Sequence, residues 1–266
     1  MEIPTSLRNL AQILKVRKHQ SKPYSLLLTS AISLTPEVLI NICNSDNWDV
    51  FRTYLRGLGQ NDRINVLTDY LGRQNNLKGY RALTHLIREG YFSTILTTNL
   101  DFTLEDTLLE YSLRSPTTQV LVVDRDKGEY IADVLDSHVS GIRIIKLHGS
   151  LRERVLPATF PDFFELPDIV RDGLKRYLNQ DIVIVGSLQR EDDITRSLTT
   201  RGGSSIYYVL PRVPSQKDNV VKVIRARSSD PRKFVIAGPY GHFESFFTSL
   251  ESLLISNPST TSQAPD

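Results

Sequence analysis

Polar side chains follow two apolar segments of the chain, at the point where each segment ends. Residues 95–101 read Ile-Leu-Thr-Thr-Asn-Leu-Asp, and residues 144–150 read Ile-Ile-Lys-Leu-His-Gly-Ser. If both segments are strands of a parallel sheet, their carboxyl ends lie at one edge, where open α/β sheets bind ligands. Asn, Asp and His at such an edge favour a nucleotide as the ligand. We therefore predict a nucleotide site that contains Asn99, Asp101 and His148.

The same residues also have structural explanations. Thr98, Asn99 and Asp101 are of types favoured at helix starts, and they could cap a helix that begins near Thr103. His148 could be a buried histidine that is bonded to backbone, followed by a simple turn at 149–150. The recurrence of the pattern at two strand ends favours the site, but the residues alone leave both explanations open.

The elements that would position these residues alternate along the chain. The predicted strands cover residues 24–28, 92–97, 119–123, 141–147, 181–185, 205–210 and 233–237. The predicted helices include 103–113, 169–178, 193–198 and a last helix from His242, besides a first helix that is capped by Thr5 or Ser6. Several strands are almost continuously apolar, which is typical of a parallel sheet covered by helices on both faces. We predict an α/β fold with a doubly wound, Rossmann-like parallel sheet.

The region between the first two strands has a different pattern. Residues 38–90 carry apolar residues at helical spacing, with breaks at 57–59 and at Gly72. We interpret this region as a small helical insert in one domain that covers residues 1–255. Residues 256–266 are small, polar or proline, and they predict a disordered tail or a linker to a further domain.

Composition excludes several classes of protein. The only cysteine, Cys43, rules out an intramolecular disulfide and a Cys-x-x-Cys zinc module, so we predict no metal. No apolar run is long enough to span a bilayer, and no signal peptide is apparent, which predicts a cytoplasmic protein without a membrane partner. A net charge of +2 gives no evidence for nucleic acid as a partner. The basic residues at 15–19 are interpreted as a solvated helix end.

The motifs resemble the sirtuin-like family, and specifically its zinc-free bacterial branch. The resemblance is densest between Lys78 and Leu113, where Ala-Leu-Thr-His-Leu-Ile-Arg-Glu-Gly-Tyr-Phe leads into Thr-Thr-Asn-Leu-Asp. It continues with Lys-Leu-His-Gly-Ser at 146–150, with Val-Ile-Val-Gly-Ser-Leu at 183–188, with Asp-Asp-Ile at 192–194 and with the final phenylalanine-rich helix. In order and spacing these matches cover most of residues 24–254.

The resemblance implies that NAD+ binds across the carboxyl edge of the sheet. His148 matches the catalytic histidine of the family, which acts as a general base on the nicotinamide ribose or on the attacking nucleophile. Asn99 matches the residue that holds the ribose and the attacking water, and Asp101 matches the acid that helps to orient the nicotinamide end. Asp192 and Asp193, which also belong to the matching motif, have a good explanation as helix caps. The residues that the resemblance places around the nucleotide are Thr29, Ser30, Ala31, Ser33, Thr98, Gly186 and Ser187, the last two on the adenosine side.

The chain departs from the family in the loop after the first strand. The family usually has Gly-Ala-Gly-x-Ser there, and its glycines let backbone N–H groups approach the pyrophosphate. This chain reads Thr-Ser-Ala-Ile-Ser at 29–33, so Thr29 and Ala31 replace both glycines. A β-branched residue is unfavourable wherever φ must be positive. We therefore expect binding at this loop to be weakened, reshaped or lost.

Two hypotheses for the function follow from the resemblance. The first is hydrolysis of NAD+ to nicotinamide and ADP-ribose by an NADase that acts as an effector in bacterial antiviral defence. The second is a degenerate module that binds NAD+, ADP-ribose or another protein without turnover. Protein deacylation is less favoured, because the deacylases carry a four-cysteine zinc module beside their peptide groove. A homo-oligomer or further domains remain open on both hypotheses.

Overall fold

The fold is a seven-stranded parallel sheet between helices. The computed structural model describes residues 2–72, 77–111, 118–123, 128–137, 141–157, 160, 166–200 and 204–255. The strands are β1 (Tyr24–Leu28), β2 (Phe92–Thr97), β3 (Thr118–Val122), β4 (Ile142–Lys146), β5 (Ile182–Val185), β6 (Ile206–Leu210) and β7 (Val235–Ala237). The helices are α1 (Thr5–His19), α2 (Pro36–Cys43), α3 (Trp48–Arg56), α4 (Gln60–Leu71), α5 (Leu77–Arg88), α6 (Thr103–Tyr111), α7 (Gly128–Asp136), α8 (Asp168–Tyr177), α9 (Asp192–Ser197), α10 (Asn219–Arg227) and α11 (Phe243–Ile255).

The strand order is β3-β4-β2-β1-β5-β6-β7, and all pairs are parallel. The chain builds one half of the sheet on one side of β1, with β4 between β2 and β3, and then crosses from β4 to β5 on the other side of β1. The order therefore reverses between β1 and β5, and the crevice outside the carboxyl ends of those two strands is the expected ligand site. The predicted doubly wound parallel sheet is confirmed.

Two hydrophobic cores cover the two faces of the sheet. On β1, Leu26 and Leu28 belong to one core and Leu27 to the other, as alternation along a strand requires. The first core joins the sheet to α1, α5, α6 and α11, and the second joins it to α7, α8, α9 and α10. Because both faces are covered, all five residues of β1 are buried.

A third, smaller core lies among α2, α3 and α4. Phe51, Leu55 and Leu67 are completely buried in it, together with Leu100 and Leu151 from the loops after β2 and β4. This core thus sits beside the carboxyl edge of the sheet. Within the region 38–90 that we interpret as an insert, α5 packs instead in the first core, chiefly against α11.

The predicted elements differ from the observed ones mainly at their ends. The first helix starts after Pro4 and has no side-chain cap, so the predicted cap at Thr5 or Ser6 is wrong. The last strand is shorter than predicted, because Pro231–Phe234 forms a 3-10 helix. Helices α7 and α10 were not predicted. Residues 112–113 of a predicted helix and the predicted tail at 256–266 lie outside the described residues. Across the described ranges, no helix has the length and apolarity needed to cross a membrane.

Candidate active site at the carboxyl edge

Backbone hydrogen bonds continue beyond the central strands and hold the loops that follow them side by side. Thr29 N–H donates to the carbonyl of Val185 (3.0 Å), and Thr98 N–H donates to the carbonyl of Leu28 (3.0 Å). Leu147 N–H donates to the carbonyl of Thr97 at 2.8 Å. The first residues after β1, β2 and β4 are thereby brought together with the end of β5. The predicted residues of the two polar segments do lie at one edge of the sheet.

His148 is buried beside a carboxylate. Its Nε2 lies 2.9 Å from Oδ2 of Asp193, and the two side chains are 1% and 5% exposed. With Nε2–H donating to the carboxylate, the neutral imidazole carries its lone pair on Nδ1, which is the arrangement of a general base oriented by an acid. Gly149 follows with φ +94°, and a Cβ there would lie 2.4 Å from the carbonyl oxygen of Val155. The turn after His148 therefore requires glycine.

Asn99 offers a polar atom without a partner at the same edge. Its backbone N–H donates to Oγ1 of Thr97 (3.0 Å), which fixes the turn after β2. Its side chain is 4% exposed, and within the part of the chain that the structure describes its Oδ1 has no hydrogen-bond partner. A buried amide oxygen without a partner carries a free-energy penalty of about 1–3 kcal/mol. Such an atom at a strand end is suited to accept a hydrogen bond from a ligand hydroxyl or a water.

Asp101 is engaged by the protein itself. Ser33 Oγ donates to its Oδ2, and Thr103 N–H donates to its Oδ1 at 3.0 Å. Asp101 therefore caps the start of α6, as the structural explanation expected, and it also ties Ser33 to the turn after β2. Thr98 and Asn99 do not cap that helix with their side chains in any described contact.

A buried lysine supports the same turn from β4. Lys146 Nζ donates to the carbonyl of Asp101 and to Oε1 of Glu105, the latter at 2.8 Å. The Lys146 side chain is completely buried and that of Glu105 is 8% exposed. Burial raises the pKa of the Glu105 carboxyl, and the neighbouring Lys146 ammonium opposes that rise. These groups fix the loop that carries Asn99.

Glu191, on the loop after β5, places a buried carboxylate against the loop after β1. Its Oε1 accepts hydrogen bonds from Ser30 N–H (2.9 Å), from Ser30 Oγ (2.6 Å) and from Thr98 Oγ1 (2.7 Å). The side chain is completely buried. Burial raises the pKa of this carboxyl above its usual range, although His148 and the three donors lower it in part. Ser30 N–H also donates to Thr98 Oγ1 at 2.7 Å, so Thr98 and a carboxylate from the loop after β5 together occupy the donors of the loop after β1.

The loop after β1 is compatible with its non-glycine residues. Thr29 is extended, with φ −92°, and Ser30–Ile32 form a 3-10 helix that includes Ala31. The anticipated conflict between Thr29 and a positive φ does not arise. The positive φ lies opposite, at Gly186 (φ +98°), where a Cβ would lie 2.1 Å from Thr29 Oγ1. Ser187 accepts a hydrogen bond from Gln189 N–H at 3.3 Å and so belongs to the local turn.

Two acidic residues of the site were missed in the sequence. Asp193 was explained as a helix cap, but it has no side-chain cap bond and binds His148 instead. Glu191 was not singled out at all. The sequence signal is only that Glu191, Asp192 and Asp193 follow a predicted strand, and the structure adds that this strand, β5, lies next to β1. Among the residues that the structure covers, no group of three or more His, Cys, Asp or Glu could hold a metal ion.

Comparison with known proteins gives the following picture. No family model matches the chain, and no curated protein matches it. Solved structures do match over nearly the whole chain, each at 15% identity. One comes from work on the mechanism and regulation of Sir2 enzymes, with a TM-score of 0.45 over 96% of this chain and 100% of the other.

Two further matches are also described as Sir2 proteins. A mutant Sir2 homologue in complex with 2'-O-acetyl ADP ribose has a TM-score of 0.47, and Sir2Af2 bound to a myristoylated histone peptide has one of 0.46. Each comparison covers 94% of this chain and 98% of the other. All three scores are below 0.5, so the fold class rests on the sheet topology of this chain and not on these similarities.

Proposed function

We propose that this chain binds NAD+ at the carboxyl edge of its sheet and hydrolyses it to nicotinamide and ADP-ribose. The observation that most supports the proposal is the buried His148–Asp193 pair, which lies next to Asn99 at an edge where doubly wound sheets bind nucleotides. A histidine oriented by a carboxylate is a suitable general base near neutral pH. The resemblance to zinc-free sirtuin-like proteins supports the same ligand and implies a role in bacterial defence.

The proposed reaction replaces the bond between the ribose and nicotinamide with a bond between the ribose and water. The bond from the ribose C1' to the nicotinamide nitrogen breaks, and nicotinamide leaves with that electron pair. Water forms the new bond to C1', and its proton passes to His148 Nδ1 and from there to solvent. Asp193 holds the imidazole and stabilises its protonated form. The reaction consumes only NAD+ and water.

Two further predicted residues have different proposed roles: Asn99 contacts the substrate, and Asp101 positions the turn that carries Asn99. We propose that Asn99 contacts the ribose or the attacking water, since its Oδ1 is available. From the resemblance, Asp101 was predicted to help to orient the nicotinamide end. Because both of its carboxylate oxygens are bonded within the chain, we now propose that it acts by fixing the turn that carries Asn99.

A second candidate function is ligand or protein binding without turnover. The observation in its favour is that Glu191 fills the donors of the loop after β1. His148 and Asn99 are also buried, at 1% and 4% exposure, so a substrate can reach them only if a loop moves. Under this alternative the carboxyl edge is a closed structural cluster.

Nicotinamide release from NAD+ by the purified chain distinguishes the two candidates. We expect release by the unmodified protein and its loss in His148→Ala and in Asn99→Ala. His85→Ala is the matched control, because His85 is also paired with a carboxylate, Glu251 at 2.7 Å, but on the outer helices. Absence of release, combined with a melting temperature raised by ADP-ribose, would support the binding module. Equal release by His148→Ala and His85→Ala would contradict the proposed role of His148.

A further inference from the structure

The Glu191 carboxylate makes the contacts that a bound anion would make. Three donors converge on its Oε1, and one of them is the main-chain N–H of Ser30, two residues beyond the end of β1. Main-chain N–H groups at this position are the donors that doubly wound sheets offer to a phosphate. Glu191 is completely buried, so its carboxylate is held in the crevice and not at the surface.

The place that Glu191 fills is where the strand order reverses. Ser30 follows β1 and Glu191 is on the loop that follows β5, so the contact between them closes the crevice between these two strands. Within the described residues, the chain neighbours of Ser30 and Thr98 each carry a buried polar atom without a partner, Oγ1 of Thr29 and Oδ1 of Asn99, and so does Glu191 at Oε2. Buried atoms of this kind are rare in folded proteins, and their concentration in one crevice indicates a ligand site.

The loop that carries Glu191 is fastened to the helical cluster beside the sheet. The guanidinium of Arg190 lies over the ring of Trp48, 4.4 Å from its centroid, at the start of α3. Arg190 is exposed, whereas Glu191 points inward. A cation over an indole ring is a modest attraction at an exposed site. The contact is therefore an attachment of this loop that a small free energy can break.

We propose, on the basis of the NAD+ site described above, that the Glu191 carboxylate occupies the position of the nucleotide diphosphate and sets the affinity of the site for nucleotides. A diphosphate and an ionised Glu191 cannot share the Ser30 donors. The carboxylate must leave, and the loop between β5 and α9 must move outward, before NAD+ binds. Asp193 lies on α9, beyond this loop, so the His148–Asp193 pair stays in place when the loop moves.

The test is calorimetric titration of the purified chain with ADP-ribose and, separately, with adenosine, which lacks phosphates. Glu191→Ala removes the occupant, and Glu191→Gln keeps its shape but removes its charge. Asp192→Asn is the matched control, since Asp192 is the exposed neighbour and touches neither Ser30 nor Thr98 in any described contact. Melting temperatures establish that each variant is folded.

Both Glu191 variants are expected to bind ADP-ribose about tenfold more tightly than the unmodified chain, or better, because Ala leaves the donors unoccupied and the neutral amide of Gln is a weaker acceptor than a carboxylate. Asp192→Asn should stay within about twofold, as expected for an exposed charge. Adenosine should gain less affinity than ADP-ribose from the same changes. If Glu191→Ala does not fold, the near-isosteric Glu191→Gln carries the test alone.

The outcomes separate this inference from the proposed function. If the unmodified chain binds ADP-ribose and the Glu191 variants bind it equally or more weakly, the inference is overturned while the nucleotide site stands. An equal gain for adenosine and ADP-ribose would also overturn it, because the effect would then not depend on the phosphates. If neither the unmodified chain nor any variant binds ADP-ribose or NAD+, both the inference and the proposed function fail.

Discussion

Two carboxylates on one segment, Glu191 and Asp193, face the two ends of the candidate site and are compensated in different ways. Asp193 accepts a hydrogen bond from an imidazole, which can itself carry positive charge. Glu191 accepts three hydrogen bonds, all from neutral donors, and burial raises its pKa more than the nearby His148 and these donors lower it. Burying a charge is costly unless it is paired. The Asp193 end is therefore a stable part of the site, whereas the Glu191 end is the part that a ligand can take over.

Among the substitutions that test this difference, we expect the largest effect from a change at Asp193. Asp193→Asn leaves a similar shape but no charge to hold and stabilise the imidazolium, so nicotinamide release should fall by about 100-fold, within the range for oriented general bases. As a positioning residue, Asp193 should also shift the pH profile of kcat, which is read from release rates across pH. Asp192→Asn should change neither. An unchanged pH profile in Asp193→Asn would mean that Asp193 has only a structural role.

The second effect concerns the turn that brings β5 against the loop after β1. Gly186→Ala should lower the free energy of unfolding by about 2–4 kcal/mol, because it combines a positive φ with a clash against Thr29 Oγ1. Gly238→Ala isolates the cost of the φ angle, since Gly238 has φ +77° and nothing near its Cβ position. Urea denaturation measures both.

Thr29→Ala should recover part of the loss in a double variant with Gly186→Ala, because it removes the clashing oxygen. If Gly186→Ala and Gly238→Ala lower the free energy of unfolding equally, or if Thr29→Ala restores none of it, the contact between the two loops is not the reason that position 186 requires glycine.

A third effect follows from the raised pKa of Glu191. Because its folded-state pKa lies above its unfolded value, ionisation opposes folding, and stability is lost as pH rises from the usual glutamate range through the folded pKa. Glu191→Gln should therefore raise the melting temperature at about pH 8, with a gain that shrinks towards about pH 5. Thermal scans at several pH values measure this. A gain that is constant with pH would assign the effect to packing instead of charge.

The smallest effect should come from loosening the loop without touching the carboxylate. Arg190→Ala removes the contact with Trp48 and should tighten ADP-ribose binding by about two- to fivefold, which corresponds to an exposed cation–π contact. Arg196→Ala is the control, because Arg196 is a largely exposed arginine on α9 whose nearest carboxylate, on Asp192, is 3.9 Å away. Equal affinities for ADP-ribose in the two variants would show that the contact between Arg190 and Trp48 does not help to keep the site closed.

The sequence predicted the sheet and part of the site, for reasons that are specific to certain residues. Apolar runs such as 182–185 predict buried parallel strands because both faces are covered. The strand ends then bring Asn99 and His148 to one edge. The partners of these strand ends were not predictable, because Glu191 and Asp193 have ordinary explanations as acids at a helix start. Only the strand order, with β5 next to β1, shows that they face Ser30 and His148.

The loop after β1 shows the limit of reasoning by residue type. Replacement of glycine by Thr29 suggested a strained or blocked phosphate loop. In the structure Thr29 is extended, and the glycine requirement lies across the crevice at Gly186. What fills the donors of the loop is a carboxylate 161 residues further along the chain. A contact of that sequence separation cannot be read from the local pattern.

The most direct single measurement is nicotinamide release from NAD+ by Glu191→Gln, compared with the same variant carrying His148→Ala. It tests both ends of the site at once, since the first change opens the phosphate end and the second removes the base. We predict faster release by Glu191→Gln than by the unmodified chain at low NAD+ concentration, and loss of that release when His148 is replaced. Release by neither variant, or equal release by both, would contradict it.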